Sequence, residues 1–161
     1  MRILTFILLT ALAGVGCRTT QTSVSDRDDI TEAVFRHIAQ PAQVVDEDSH
    51  GVNLAHKVLF LSVDDFRDPD ADLLRRLSDF CVPVKPISAR VMKDSYSYDR
   101  VTGERGAAFY IHSIRRLSAS KAEVQGDIDP GGGLRGSGYI YRVVYRGGKW
   151  SVKGQKLKWV S

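Results

Sequence analysis

A few groups of residues in this chain have side chains suited to chemistry. His37, His50, His56 and His112 are scattered, and none has a ligand partner at helical or zinc-finger spacing. His37 falls on the apolar stripe of a helical segment, where a histidine packs in the core or at its rim. His112 lies between apolar neighbours on a strand, opposite in parity to Ile111, a placement that suits a cleft. Asp64, Asp65, Asp68, Asp70 and Asp72 crowd together ahead of a helix. A calcium loop wants alternating oxygen ligands, a central Gly and a closing Glu. Gly and Glu are missing, and helix capping accounts for Asp68, Asp70 and Asp72. Asp94, Tyr96, Tyr98 and Asp99 occupy a stretch without a core pattern. Aromatics there grip a ligand or partner, or pack on their own base. No metal and no cofactor is expected.

Two short motifs fit a pattern and fail its context. Gly131-Gly132-Gly133-Leu134-Arg135-Gly136 matches G-x-G-x-x-G. A dinucleotide site needs a helix to start there, and a strand follows instead. Ser118-Ala119-Ser120-Lys121 matches S-x-x-K, but it reads as a turn between strands, without K-T-G or S-D-N elsewhere. Cys81 lies in an apolar neighbourhood near a helix end, which suits a small buried hydrophobe better than a thiolate.

The carboxy-terminal run from Leu134 to Ser161 organises the elements that must hold these groups. Tyr139, Tyr141, Val143 and Tyr145 recur at every second position and line one side of a strand. Ile140 and Val144 point the other way, between Arg142 and Arg146. Gly147-Gly148 accepts the positive φ of a type I′ turn. Trp150 and Val152 share one face and Leu157 and Trp159 the opposite parity, so Gly154 is the expected place for a β-bulge. The aromatic face of Tyr139, Tyr141 and Trp150, with His112, is the expected ligand-contacting set.

Earlier in the chain, Asp26 to Gln40 reads as a helix with Ile30, Ala33, Val34, His37 and Ile38 on one face. Ser25 or Asp26 caps it and Pro41 stops it. Residues 41–55 form an acidic connection. Lys57 to Val63 is a strand. Asp68-Pro69 opens a second helix with the stripe Leu73, Leu74, Leu77 and Phe80. Val82 to Val91 is an edge strand or extended segment, and residues 92–106 a long loop or hairpin tip. Gly106 to Ile114, Lys121 to Asp129, Leu134 to Arg146 and Lys149 to Val160 then give four antiparallel strands. The expected fold is α+β: two helices packed on one face of a curved antiparallel sheet that ends in a four-strand meander.

At the amino terminus, Met1-Arg2 precedes an apolar run from Ile3 to Ala13, small residues and Cys17. This pattern reads as a secretory signal and is too short to span a membrane. Leu12-Ala13-Gly14-Val15-Gly16-Cys17 resembles the lipobox of bacterial lipoproteins, although Gly14 stands where that family prefers Leu. The resemblance implies lipidation of Cys17, which becomes the first mature residue, and membrane attachment through its acyl chains. Arg18 in place of Asp implies an outer-membrane anchor facing the periplasm. The competing reading is a plain secreted protein. The organisation expected is signal 1–17, polar tether 18–27 and one domain over 28–161. The element order is similar to nuclear-transport-factor-2-like and cystatin-like domains, an outline that carries no activity with it. TGERG and GKWSVKGQKLKWVS resemble stretches of uncharacterised secreted bacterial proteins.

Charge divides along the chain. Residues 18–100 hold 11 basic against 15 acidic residues, a net of −4, whereas residues 101–161 hold 11 against 4, a net of +7. Either the two halves attract each other within one domain, or the basic sheet meets an anionic envelope surface or a protein. No nucleic-acid motif is present. Two functions are open: a non-enzymatic envelope lipoprotein with a binding domain, using Lys153, Lys156 and Lys158, or a pocket between helices and sheet for a small ligand or simple acid–base work.

Overall fold

The computed structural model describes residues 24–43, 56–131 and 136–161. The signal segment with Cys17, the start of the tether, residues 44–55 of the acidic connection and the glycines 132 and 133 lie outside the described residues.

Helix α1 spans Val24–Gln43. It begins within the expected tether and continues past Pro41, whose fixed φ is compatible with a helix. Ile30, Thr31, Val34, Phe35, Ile38 and Ala39 are buried. That face is rotated from the expected stripe, so His37 sits at the rim, with Nε2 3.2 Å from Gln155 Oε1.

Six strands make the main sheet: β1 (Val58–Val63), β2 (Val84–Pro86), β5 (Gly106–Ser118), β6 (Lys121–Asp129), β7 (Ser137–Arg146) and β8 (Lys149–Val160), in the order β2-β1-β5-β6-β7-β8. The meander β5 to β8 is antiparallel as expected. The sheet as a whole is mixed, because β1 runs parallel to both β2 and β5. Parallel neighbours need a crossover, and the segment between β1 and β2 provides one. It carries α2 (Ala71–Arg76), capped by Asp70, whose carboxylate accepts from Leu73 N at 2.7 Å. The expected Asp68-Pro69 cap is therefore corrected: Asp68 instead accepts from Ser88 N at 2.9 Å. The helix ends before Phe80, which packs on Phe35 with ring centres 5.3 Å apart. Phe80 turns inward, and Cys81 is exposed rather than buried.

Residues 92–106 are more ordered than a loop. Strands β3 (Arg90–Lys93) and β4 (Tyr96–Asp99) form a separate hairpin. Its turn residues Asp94 and Ser95 both have positive φ, as a two-residue type I′ turn requires. The carboxylate of Asp99 is buried, pairs with the Lys85 ammonium and accepts from Val101 N at 2.7 Å. Burial by itself raises this carboxyl's pKa; the Lys85 hydrogen bond and the Val101 and Thr102 N–H groups outweigh it and hold it below the usual carboxylate range.

The two faces of the sheet differ. Leu59, Leu61, Phe109, Ile111, Val124 and Tyr141 meet α1 and α2 in the main core. On the opposite face a smaller cluster of Val58, Phe60 and Ala108 packs with Ile87, Ala89 and Tyr110. Bulges modulate both long strands. In β8 the register steps at Val152–Gly154, leaving Lys153 extra, and again at Leu157–Trp159, leaving Lys158 extra. In β5 the pairs Ile111–Gly126 and Ser113–Gln125 leave His112 as the extra residue.

Candidate functional site

A cavity of about 600 Å³ opens on the sheet face turned away from the helices. Alternation explains its floor. Tyr110 and His112 on β5, and Asp127 and Asp129 on β6, share the parity opposite to the core residues Phe109, Ile111 and Val124. Met92 and Ser95 of the β3–β4 hairpin, Phe66 after β1, and Trp159 near the end of β8 are also part of the lining.

His112 is aimed by its bulge, which frees a residue from the ladder and re-directs its side chain. Its Nε2 lies 2.8 Å from Asp127 Oδ2 and its Nδ1 lies 3.1 Å from Asp65 Oδ1. The doubly protonated ring donates to both carboxylates, whereas the neutral ring donates to one. Tyr110 stacks beside His112 with centroids 6.2 Å apart and planes 9° from parallel. Arg90 donates to the Tyr110 hydroxyl and to the Asp129 carboxylate. Burial pushes the Tyr110 phenol upward, and the Arg90 charge offsets part of that rise.

The wall that brings Asp65 and Phe66 to this floor is a tight loop with three consecutive left-handed residues. Asp64, Asp65 and Phe66 have φ of 47°, 56° and 75°. For non-glycine residues each such conformation costs about 1–2 kcal/mol. Surrounding bonds over-determine it: Val63 and Arg67 exchange backbone bonds at 2.9 Å, Asp64 N donates to Ile111 O at 2.8 Å, and the Asp64 carboxylate pairs with Arg27 and Arg67. The Phe66 ring then stands edge-on to Tyr110 at 5.4 Å and to His112 at 6.2 Å.

No family model, no curated protein and no solved structure matches this chain. The site must therefore speak through its own geometry.

Of the sequence-derived ligand set, His112 lies in the large cavity and the three aromatics lie on the other face. Tyr139 is half-buried and tilted against Tyr141, centroids 5.8 Å apart. Tyr141 is fully buried, its phenol is pushed strongly upward by burial and then by Tyr139 and Asp127, and its hydroxyl has no hydrogen-bond partner among the described residues. Trp150 is 6% exposed, beneath the Arg116 guanidinium at 4.8 Å. It also lines a smaller cavity of about 310 Å³ beside α1. Ion pairs line that cavity, where Arg36 bonds Glu32 at 2.8 Å and Arg76 bonds Asp29 at 2.6 Å. Between helices and sheet the centre is filled by Phe35, Phe109, Leu59 and Tyr141, and the smaller cavity lies where α1 and Arg76 meet the start of β8.

Sequence reasoning named Asp65 only within a cluster and passed over Phe66, Tyr110, Asp127, Asp129 and Trp159 as site residues. A signal existed in the alternating Tyr110/His112 and Asp127/Asp129, which place polar and aromatic groups on the non-core parity of adjacent strands. Tyr96 and Tyr98 are half-buried on the hairpin, with Arg105 over the Tyr96 ring at 4.1 Å. The lysines of the basic stretch sit on β8, the outer strand of the sheet, two of them as bulge residues. Charged bulges on an edge block edge-to-edge pairing.

Proposed function

We propose that this chain is a non-enzymatic envelope lipoprotein whose domain binds a small molecule in the cavity on the open sheet face. The observation that carries the reading is the 600 Å³ cavity bounded by Phe66, Trp159 and the His112–Asp127 pair. Its size falls within the range of ligand sites, roughly 300–1,000 Å³, and it combines apolar walls with a few converging polar groups. A binding role is favoured over acid–base catalysis because both ring nitrogens of His112 face protein carboxylates. A general base needs a free nitrogen within reach of its substrate. The membrane anchor in this reading is Cys17, in the outer membrane and facing the periplasm. The finer fold assignment, an NTF2-like or cystatin-like outline, is likewise proposed, supported by α1 lying against the meander.

The test uses the two tryptophans, Trp150 in the core and Trp159 at the cavity. Their indole N–H resonances are followed during titration with neutral, anionic and cationic aromatic fragments. Binding at the site moves the Trp159 signal and leaves Trp150 in place. A Trp159 signal that no fragment moves would overturn the ligand reading. Binding to anionic vesicles that disappears on reversing Lys153, Lys156 and Lys158 would instead favour the basic-sheet function. Mass spectrometry of the mature amino terminus tests the anchor.

A further inference from the structure

Resting on that ligand-binding reading, we infer that the molecule held in this cavity is cationic: an organic amine with an apolar body, its ammonium toward Asp127 and its body against Trp159 and Phe66. The first ground is charge. Residues 101–161 carry a net of +7, yet the described residues lining the cavity include Asp127 and Asp129 and no lysine or arginine. Asp129 is already neutralised, since Arg90 pairs with it and Gly131 N donates to it at 2.9 Å. Asp127 is not. Its Oδ2 meets His112, while its buried Oδ1 has no hydrogen-bond partner among the described residues. A carboxylate oxygen left without a donor is costly, and a ligand N–H removes that cost.

The second ground is the walls. Phe66, Tyr110 and Trp159 bring three aromatic rings to one cavity. The negative face of an aromatic ring attracts a cation and gives an anion nothing. Phe66 is held there at the expense of a left-handed backbone, φ 75°, and the residue is 66% exposed. Folding alone does not reward that combination.

The third ground is how Oδ1 is covered. The N–H edge of the Trp159 indole lies over Gly138, where a Cβ would meet the indole Nε1 first, then Cε2 at 2.6 Å and Asp127 Oδ1 at 2.7 Å. The absence of a side chain at 138 lets the ring and the carboxylate share one spot. Trp159 is 39% exposed near the end of the outer strand, so the ring tilts outward at little cost and opens Oδ1 to an ammonium.

The experiment compares three probes of matched shape: 2-phenylethylamine as its ammonium, 2-phenylethanol and phenylacetate. Each is titrated into the folded protein while the Trp159 indole N–H is observed. The ammonium is expected to bind at least tenfold more tightly than the alcohol, and phenylacetate more weakly than either. Asp127→Asn is expected to abolish the ammonium's advantage over the alcohol. If that variant unfolds, Trp159→Leu, followed by isothermal titration calorimetry with the same probes, keeps an apolar side chain, removes the π face and is expected to cut the preference several-fold. Equal binding of the alcohol and the ammonium, or a preference that survives both substitutions, overturns the cationic assignment while leaving a ligand pocket standing. Failure of all three probes and the wider fragment set to move Trp159 removes the pocket reading with it.

Discussion

His112 Nε2 lies 2.8 Å from Asp127 Oδ2, although the ladder pairs Asp127 with Tyr110. The bulge makes this possible. It leaves His112 without a partner opposite and tips the ring diagonally across to β6. The same extra residue reverses the phase of β5, so that Ile114 packs on the core and Arg116 reaches back over Trp150 to pair with Asp26 of α1 at 2.9 Å. Deleting His112 is expected to turn Ile114 and Arg116 to the wrong face, because a shift of one residue exchanges the two sides of a strand. His112→Ala keeps the count and costs only the two carboxylate contacts, about 1–3 kcal/mol. Urea unfolding of both variants distinguishes them: the deletion loses its cooperative transition and the alanine variant keeps it.

The Lys85–Asp99 pair predicts acid sensitivity in the β3–β4 hairpin. The folded-state pKa of Asp99 lies below its unfolded value. Stability from this group is therefore present above the ordinary carboxylate pKa and disappears as pH falls through the lower folded value. Asp99→Asn is expected to flatten that part of the stability–pH curve. Asp99→Ala strands Lys85 and two turn N–H groups at a cost of about 3 kcal/mol. Chemical denaturation between neutral pH and strongly acid pH measures both. An unchanged acid limb in the Asn variant would place the sensitivity elsewhere.

Gly138→Ala tests the close approach of Trp159. The new Cβ would collide with the indole Nε1 and fall 2.6 Å from its Cε2, too near for both to stay. Trp159 is expected to swing into solvent, its emission moving to longer wavelength in a Trp150→Phe background. Overpacking of this kind costs roughly 1–3 kcal/mol. Emission identical to the parent's would mean the ring does not rest over Gly138.

Tyr141→Phe is expected to be neutral or stabilising by up to about 1 kcal/mol, because it removes a buried hydroxyl without a partner. Tyr139→Phe, at a half-buried position, serves as the comparison and is expected to change little. A loss above that size in Tyr141→Phe, read from thermal unfolding, would reveal a partner for the hydroxyl.

Phe66→Gly separates folding from binding. Relief of a left-handed phenylalanine is expected to raise stability by about 1 kcal/mol, less the modest contact of an exposed ring. Amine binding in the cavity is expected to weaken several-fold. A gain in stability with loss of binding is the usual exchange at a strained functional loop. If binding is unchanged, Phe66 is not part of the ligand wall.

The chain by itself determined what depends on neighbours a few residues apart. Alternation in Tyr139–Tyr145 fixes a strand, Gly147-Gly148 with φ of 59° and 81° fixes its turn, and the parity change after Val152 announces a bulge beside Gly154. The α+β character and the four-strand meander follow from such local signals. The second helix, the hairpin of residues 90–99 and the exposure of Cys81 were less legible, since each depends on which side chain wins a place in the core. Only the tertiary structure decided that β1 lies parallel between β2 and β5, and that the open cavity belongs to the face away from the helices. It alone brought Asp65 to His112 across 47 positions of sequence. Local periodicity states which residues share a face; which face is buried, and what stands opposite it, is settled by long-range packing of the whole chain.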